Sequence, residues 1–327
     1  MLAARPAMKA AVILGAGWSA IAGRPLVGEL FKDVPFAASA ERQRIHARVH
    51  EEWRRWREQH CNAFTEEFLA ATIGTTLWPY VVQYIGARLA EPDQVRLANE
   101  LRYGERLDKP SPAEIHHRSI EAVLRSYELV GVVTTNYDLL AERTLRHRPM
   151  KRPARPGFFY AGIGGSRVQG ASTFSVRRKW VDVTGSVPLC KLHGSLNWYR
   201  SASGITAIAD CRPAYRSRDI SYIVAPAPEK VVPAPLNAVW SVARSFLKAA
   251  EEWIVVGYSA PAYDTAIAEL LSTSAAGALQ RIRVVDPNED VIGRYRSLAD
   301  KDIQWHSSLE RFCVDLQSGR TEPPKGT

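Results

Sequence analysis

The feature that most constrains the fold is a recurring punctuation. Five apolar, strand-sized runs each stop at a glycine or a small polar group. They are AAVIL before Gly15, LVGVV before Thr134, VPLCKL before His193, WIVV before Gly257 and RIRVV before Asp286. Short unbroken runs of this kind suit strands buried on both faces. A further run, ISYIV at 220–224, has the same character. Helical patterns lie at 112–128, 236–250 and 263–274. Strands alternating with helices predict an α/β fold with a mostly parallel sheet. In such a sheet the carboxyl ends of the strands share one edge, and ligands gather there.

The stretch 35–111 breaks this alternation. ERQRIHARVHEEWRRWREQH is helical by propensity, with Ile45, Val49, Trp53 and Trp56 near helical spacing. AEPDQVRLANELRYG predicts another helix, with Pro92 near its start. The expected organisation is therefore a sheet domain over 1–34 and 112–327 with a helical insertion over 35–111. A short helix is expected at 19–32. Residues 146–180 hold prolines, glycines and no period, and read as one long loop flanking a cleft. Within it Arg152, Arg155 and Arg177 are candidate phosphate or partner contacts.

Several function classes are disfavoured by composition. The 327 residues carry a formal net charge of +9. The basic clusters at Arg54, Arg55 and Arg57, at Lys151, Arg152 and Arg155, and at Arg177, Arg178 and Lys179 lack aromatic interleaving. Direct nucleic-acid binding is not expected from them. Cys61, Cys190, Cys211 and Cys313 form no C-x-x-C pair, and no H-E-x-x-H spacing exists, so no metal site is expected. No apolar run is long enough to span a membrane, and the one before Gly15 is too short for a signal-peptide core. The expected location is the cytoplasm.

Gly15-Ala16-Gly17-Trp18-Ser19-Ala20 fits G-x-G-x-x-G/A between a strand and a helix. Glycines there allow a tight turn and close approach of backbone to a pyrophosphate, with the helix N-terminus meeting its charge. A dinucleotide oxidoreductase would also carry an acid at the end of a second strand about 20 residues on. Here Glu29 and Asp33 precede a helical stretch, and no second strand-like run appears before residue 128. That departure counts against hydride transfer. Thr135, Asn136 and Asp138 end the next run, where they suit holding a carboxamide or a water, or simply capping a helix. His193 ends another and is a candidate general base or a packed core histidine. Gly257, Ser259, Asp286 and Asn288 follow the last two runs.

In this order GAGWSAIAGRP, TTNYD, KLHGS, VVGYS and VVDPN resemble the sirtuin-like, silent information regulator type NAD-binding superfamily. The likeness is greatest to its bacterial antiphage-defence branch, with GYSAPAYD ending at Asp264, and it spans roughly 8–320. The resemblance implies a Rossmann-like parallel sheet with an inserted helical module and NAD in the cleft between them. It implies that Gly15, Ala16, Gly17 and Ser19 face phosphate, and that Thr135, Asn136 and Asp138 hold nicotinamide and water. It implies a catalytic role for Asn136 and His193. Gly257 and Ser259 would contact diphosphate and ribose, and Asp286 and Asn288 the adenosine ribose.

Two departures matter. Deacylases of the superfamily usually carry four zinc cysteines after the histidine, and no such set is present. They usually read TQN where Thr135 precedes Asn136 here. The resemblance then implies NAD glycohydrolysis, with NAD as substrate and no metal. The alternatives are ADP-ribosyl or acyl transfer, or a non-catalytic NAD or ADP-ribose binding module. A constitutive NADase would be toxic, so control is expected from a homo-oligomer or a regulatory defence partner such as an ATPase, an Argonaute-like protein or another sensor.

Overall fold

The structure is a computed structural model. It describes residues 7–32, 40–61, 64–89, 112–146, 158–163, 186–201, 204–207, 221–225 and 232–318. Seven strands form one parallel sheet: β1 (Lys9–Leu14), β2 (Glu128–Thr134), β3 (Phe158–Tyr160), β4 (Val187–Lys191), β8 (Glu252–Val256), β9 (Arg281–Val285) and β10 (Asp302–His306). Their order is β10-β9-β8-β1-β2-β4-β3, and every pairing is parallel. The chain leaves β1 toward β2 on one side and returns through β8 on the other. This is the topological switch point of an open α/β sheet.

Burial follows from position. β1 and β8 stand in the middle of the sheet, and all their residues except Lys9 are buried. Continuous burial along a strand requires cover on both faces. α5 (Pro112–Ser126) packs against α10 (Leu309–Ser318) and α6 (Leu140–Arg146). α7 (Asn237–Ala249) packs against α8 (Thr265–Ala275), which meets α9 (Val291–Leu298). On α7 the buried residues Val239, Trp240, Ala243, Phe246 and Leu247 recur at helical spacing. Gly131 of β2 makes room for this helix, since a Cβ there would stand 2.5 Å from the Phe246 ring.

A smaller unit covers one end of the sheet. α1 (Ala16–Ala20) is followed by a 3-10 turn (Val27–Glu29), then by α2 (Ala40–Gln59), α3 (Thr65–Thr72) and α4 (78–89). Val49, Phe68, Leu69, Val81, Tyr84 and Ile85 form a second apolar core. Phe31 stacks on Tyr84 at 5.2 Å and on Trp53 at 4.8 Å. This core also takes Tyr137, Leu196 and Ile223. The last two belong to a three-stranded antiparallel sheet of β5 (Gly194–Ser201), β6 (Gly204–Ala207) and β7 (Ser221–Ile223), in the order β6-β5-β7.

Three expectations need correction. The helix expected at 19–32 ends at Ala20, because Gly23 adopts φ 79° and Pro25 cannot continue it. The strand expected at 220–224 is β7, which pairs antiparallel with β5 and stands outside the parallel sheet. The loop expected over 146–180 contains edge strand β3. The helix expected at 90–104 and Arg152, Arg155 and Arg177 lie outside the described residues. Among those described, no helix is long and apolar enough to cross a membrane, and no cluster of His, Cys, Asp or Glu is arranged to hold a metal.

Candidate active site

Register at the carboxyl edge builds the site. Leu14 pairs with Thr134 on one side and Val256 on the other. The residues after them, Gly15, Thr135 and Gly257, therefore leave the sheet side by side. Gly15 N–H donates to Val256 O at 3.0 Å, Gly17 N–H to Gly257 O at 2.8 Å and Thr135 N–H to Leu14 O at 3.2 Å. The glycines serve this close packing. A Cβ on Gly15 would stand 2.4 Å from Gly257 O, and one on Gly257 would stand 2.3 Å from Trp18 N. The helix that follows, α1, has only five residues. Its dipole is small, and the Gly15 and Gly17 N–H groups are committed to the Val256 and Gly257 carbonyls.

Asn136, Ser19 and Asp138 form one hydrogen-bonded chain. Asn136 Nδ2 donates to Gly15 O at 2.7 Å and to Ser19 Oγ at 3.0 Å. Ser19 Oγ in turn donates to Asp138 Oδ2 at 2.6 Å. Asp138 Oδ1 accepts Leu140 N–H at 2.8 Å, so the residue also starts α6. The helix-capping reading of this segment is therefore met at Asp138. With Nδ2 committed to Gly15 and Ser19, Asn136 lines the cavity.

His193 follows β4 and is buried. Its Nε2 lies 4.0 Å from Asp264 Oδ2, and its ring centroid lies 6.3 Å from that of Tyr137. Gly194 adopts φ 79°, which turns the chain sharply into β5. His193 and Asp264 line a cavity of about 140 Å³ together with Ala16, Ser19, Thr135, Asn136, Asp138, Gly257 and Ser259. Of the residues expected at the site, Gly15 and Gly17 are not among those that line this cavity. Asp286 and Asn288 stand outside it. Asp286 Oδ1 accepts Asn288 N–H at 2.9 Å, and Asn288 Oδ1 accepts Asp290 N–H at 3.0 Å. These two turns lead the chain from β9 into α9. Asp286 is half-buried, and burial raises its carboxyl above the usual range despite Asn288 N–H and Arg294.

Four further residues were not singled out from sequence. Arg24 is buried, with Nε 3.7 Å from Asp138 Oδ1, and its Nη1 donates to Leu89 O at the end of α4. It links the helical unit to the carboxyl edge of the sheet. Its only sequence signal is a charge inside a glycine-rich turn. Tyr258 donates to Asp264 Oδ2 at 3.2 Å, and Tyr263 donates to Glu66 Oε1 at 2.7 Å. Lys191 Nζ bonds Glu142 Oε1 at 2.7 Å and the Asp138 carbonyl.

Burial alone would raise the Asp138 carboxyl. Arg24, Lys191, the Ser19 hydroxyl and Leu140 N–H overcome it and hold the group below the usual carboxylate range. A lowered folded-state value adds stability above the unfolded-state pKa, about 3.9 for Asp, and that stability is lost as pH falls through the folded value. Arg24→Met is therefore expected to cost about 3–5 kcal/mol at neutral pH, where it strands a buried carboxylate. The deficit should shrink in acid, once Asp138 is protonated. Urea denaturation near neutrality and near pH 3 measures it, and a deficit independent of pH would make Arg24 a packing residue only.

No family model matches the chain, and no curated protein matches it. Among solved structures it is similar to a Sir2 homologue in complex with NAD, at 15% identity and a TM-score of 0.48, over 96% of this chain and 91% of that one. It is also similar to a Sir2 homologue variant in complex with ADP-ribose, at 15% identity and a TM-score of 0.46, over 96% and 93% of the two chains.

Proposed function

We propose that this chain hydrolyses NAD to nicotinamide and ADP-ribose. The observation that carries the proposal is the meeting of Asn136, Asp138 and His193 around one cavity at the switch point of the sheet. At about 140 Å³ the cavity is smaller than the roughly 300–1,000 Å³ that encloses a whole drug-sized ligand. It suits one end of a dinucleotide, the nicotinamide and its ribose. The diphosphate then lies over the paired turns at Gly15 and Gly257. β9 stands two strand spacings from β1, about 10 Å, so Asp286 is within reach of the adenosine half.

The chemistry is an attack by water on C1′ of the nicotinamide ribose. The C1′–N1 bond breaks, its electron pair neutralises the pyridinium ring, and nicotinamide leaves. Positive charge passes to the sugar as an oxocarbenium-like state. Asn136 Oδ1 accepts a hydrogen bond from the water and aims its oxygen at C1′. Correct placement of reacting groups supplies up to about 7–11 kcal/mol in favourable cases. His193 accepts the proton released as the C1′–O bond forms, then returns it to solvent. Asp138, already fixed by Ser19 and Leu140, holds the carboxamide.

The test is to incubate the protein with NAD and resolve the products by chromatography. The wild type is expected to release equal amounts of nicotinamide and ADP-ribose. Asn136→Ala and His193→Ala are each expected to lose roughly 100-fold or more. ADP-ribosylated protein would favour a transferase. NAD binding without turnover would favour a binding module or an enzyme lacking its activator. The proposal extends to control by self-assembly or a defence partner in the cytoplasm. The toxicity of uncontrolled NAD loss supports that extension. Full activity of the isolated monomer would refute it.

A further inference from the structure

Asp264 occupies the N-cap position of α8, where an aspartate usually bonds the first free N–H groups of the helix. Its side chain makes no such bond. The carboxylate is buried and faces the cavity. Oδ2 accepts the Tyr258 hydroxyl at 3.2 Å and lies 4.0 Å from His193 Nε2. The loop that delivers it contains Ala260 at φ 47°, the one non-glycine residue with positive φ among those described. Backbone strain of this kind persists where the surrounding structure holds it.

We propose that Asp264 is the positioning residue of His193: its carboxylate orients the imidazole and balances the charge that His193 gains with a proton. The inference rests on the hydrolase reading and deepens it. An imidazolium formed in a buried cavity is costly without a counter-charge. The 4.0 Å separation closes when the ring carries a proton and donates Nε2–H to Oδ2. In neutral His193 the same contact places the basic lone pair on Nδ1. Tyr258 cannot take the carboxylate's role. Burial, with Asp264 beside it, pushes its phenol up, so it remains a donor. Among the described residues, Tyr137, Tyr263, Glu66 and Asp138 also stand around the pair. Tyr137 donates to Val224 O and Tyr263 to Glu66, which leaves Asp264 the carboxylate that faces the ring.

Asp264→Asn keeps the shape and removes the charge. Nicotinamide release is expected to fall at least about tenfold in kcat with KM little changed. The acid limb of the pH–rate profile should move to lower pH, because loss of a neighbouring carboxylate lowers the proton affinity of His193. Asp264→Glu should recover part of the rate. The His193 imidazole is also titrated by NMR in wild type and Asp264→Asn, with His193→Ala assigning the signal. It should titrate at lower pH in Asp264→Asn whether or not NAD is consumed. A wild type that consumes no NAD therefore bears on the hydrolase reading alone, and one that does not bind NAD overturns it. An unchanged imidazole titration overturns the Asp264 proposal alone. If Asp264→Asn does not fold, Tyr258→Phe replaces it. Loss of the phenol leaves the carboxylate less shared, and the His193 titration should then move to higher pH.

Discussion

Lys191→Ala is expected to cost about 3–5 kcal/mol of stability, the typical loss when one partner of a buried ion pair is removed. Lys191 and Glu142 are both completely buried. The ammonium bonds Glu142 Oε1 and the carbonyls of Tyr137 and Asp138. Tyr160 donates to the same Glu142 oxygen at 2.9 Å, and Asn197 donates to Tyr160 at 2.8 Å. Without Lys191, a carboxylate is left in the core with a phenol as its main partner. Replacing both charges, as Lys191→Met with Glu142→Leu, should recover much of the stability, since paired apolar groups remove the stranded charge. Hydrolysis should not recover with it. The carbonyls of Tyr137 and Asp138 still lack their donor, and the segment bearing Asn136 is held less firmly. Urea denaturation and the NAD assay on both variants check this. A double variant with wild-type turnover would show that Lys191 acts on stability alone.

Gly257→Ala is expected to disable the site and destabilise the fold together. The position adopts φ 62°, and a Cβ would stand 2.3 Å from Trp18 N and 2.5 Å from Gly17 Cα. Backbone strain contributes about 1–3 kcal/mol, and overpacking a further 1–3 kcal/mol. The clash is with backbone, so no side-chain rotation relieves it. The Gly17 turn must move away from β8, and the two turns that form the floor of the cavity separate. NAD affinity, measured by calorimetry, should fall at least tenfold alongside a lower melting temperature. Gly293→Ala is the control. It lies within α9 with no atom near its Cβ, and should gain up to about 1 kcal/mol from helix propensity. Equal behaviour of the two variants would refute the account of Gly257.

Much of this site was legible as chemistry at strand ends. Asn136, Asp138, His193, Gly257 and Ser259 were picked out because each follows an apolar run, and the structure sets all five around one cavity. The runs reveal strands by composition, and a parallel sheet sends all their carboxyl ends to one edge. Asp286 and Asn288 met the same criterion, yet they close turns outside the cavity. β4 and β9 stand equally far from β1, yet only the residue after β4 reaches the cavity, so the path of the chain beyond the strand decides, and that path is not written in local composition. Arg24, Tyr263 and Lys191 were missed for a related reason. Each acts on a group distant in the chain, and each looks like an ordinary surface or core residue in its own segment.

Sequence by itself determined β1, β2, β4, β8 and β9, the helices α5, α7 and α8 and the glycines at strand ends, because burial and turn chemistry act on neighbouring residues. Tertiary structure alone decided that β7 joins β5 in a separate antiparallel sheet. It also decided that Arg24 joins α4 to Asp138 and that Asp264 turns from its own helix toward His193. Those choices depend on where low-dielectric space and opposite charge meet. That meeting is set by packing elements from distant parts of the chain, and no segment encodes it alone.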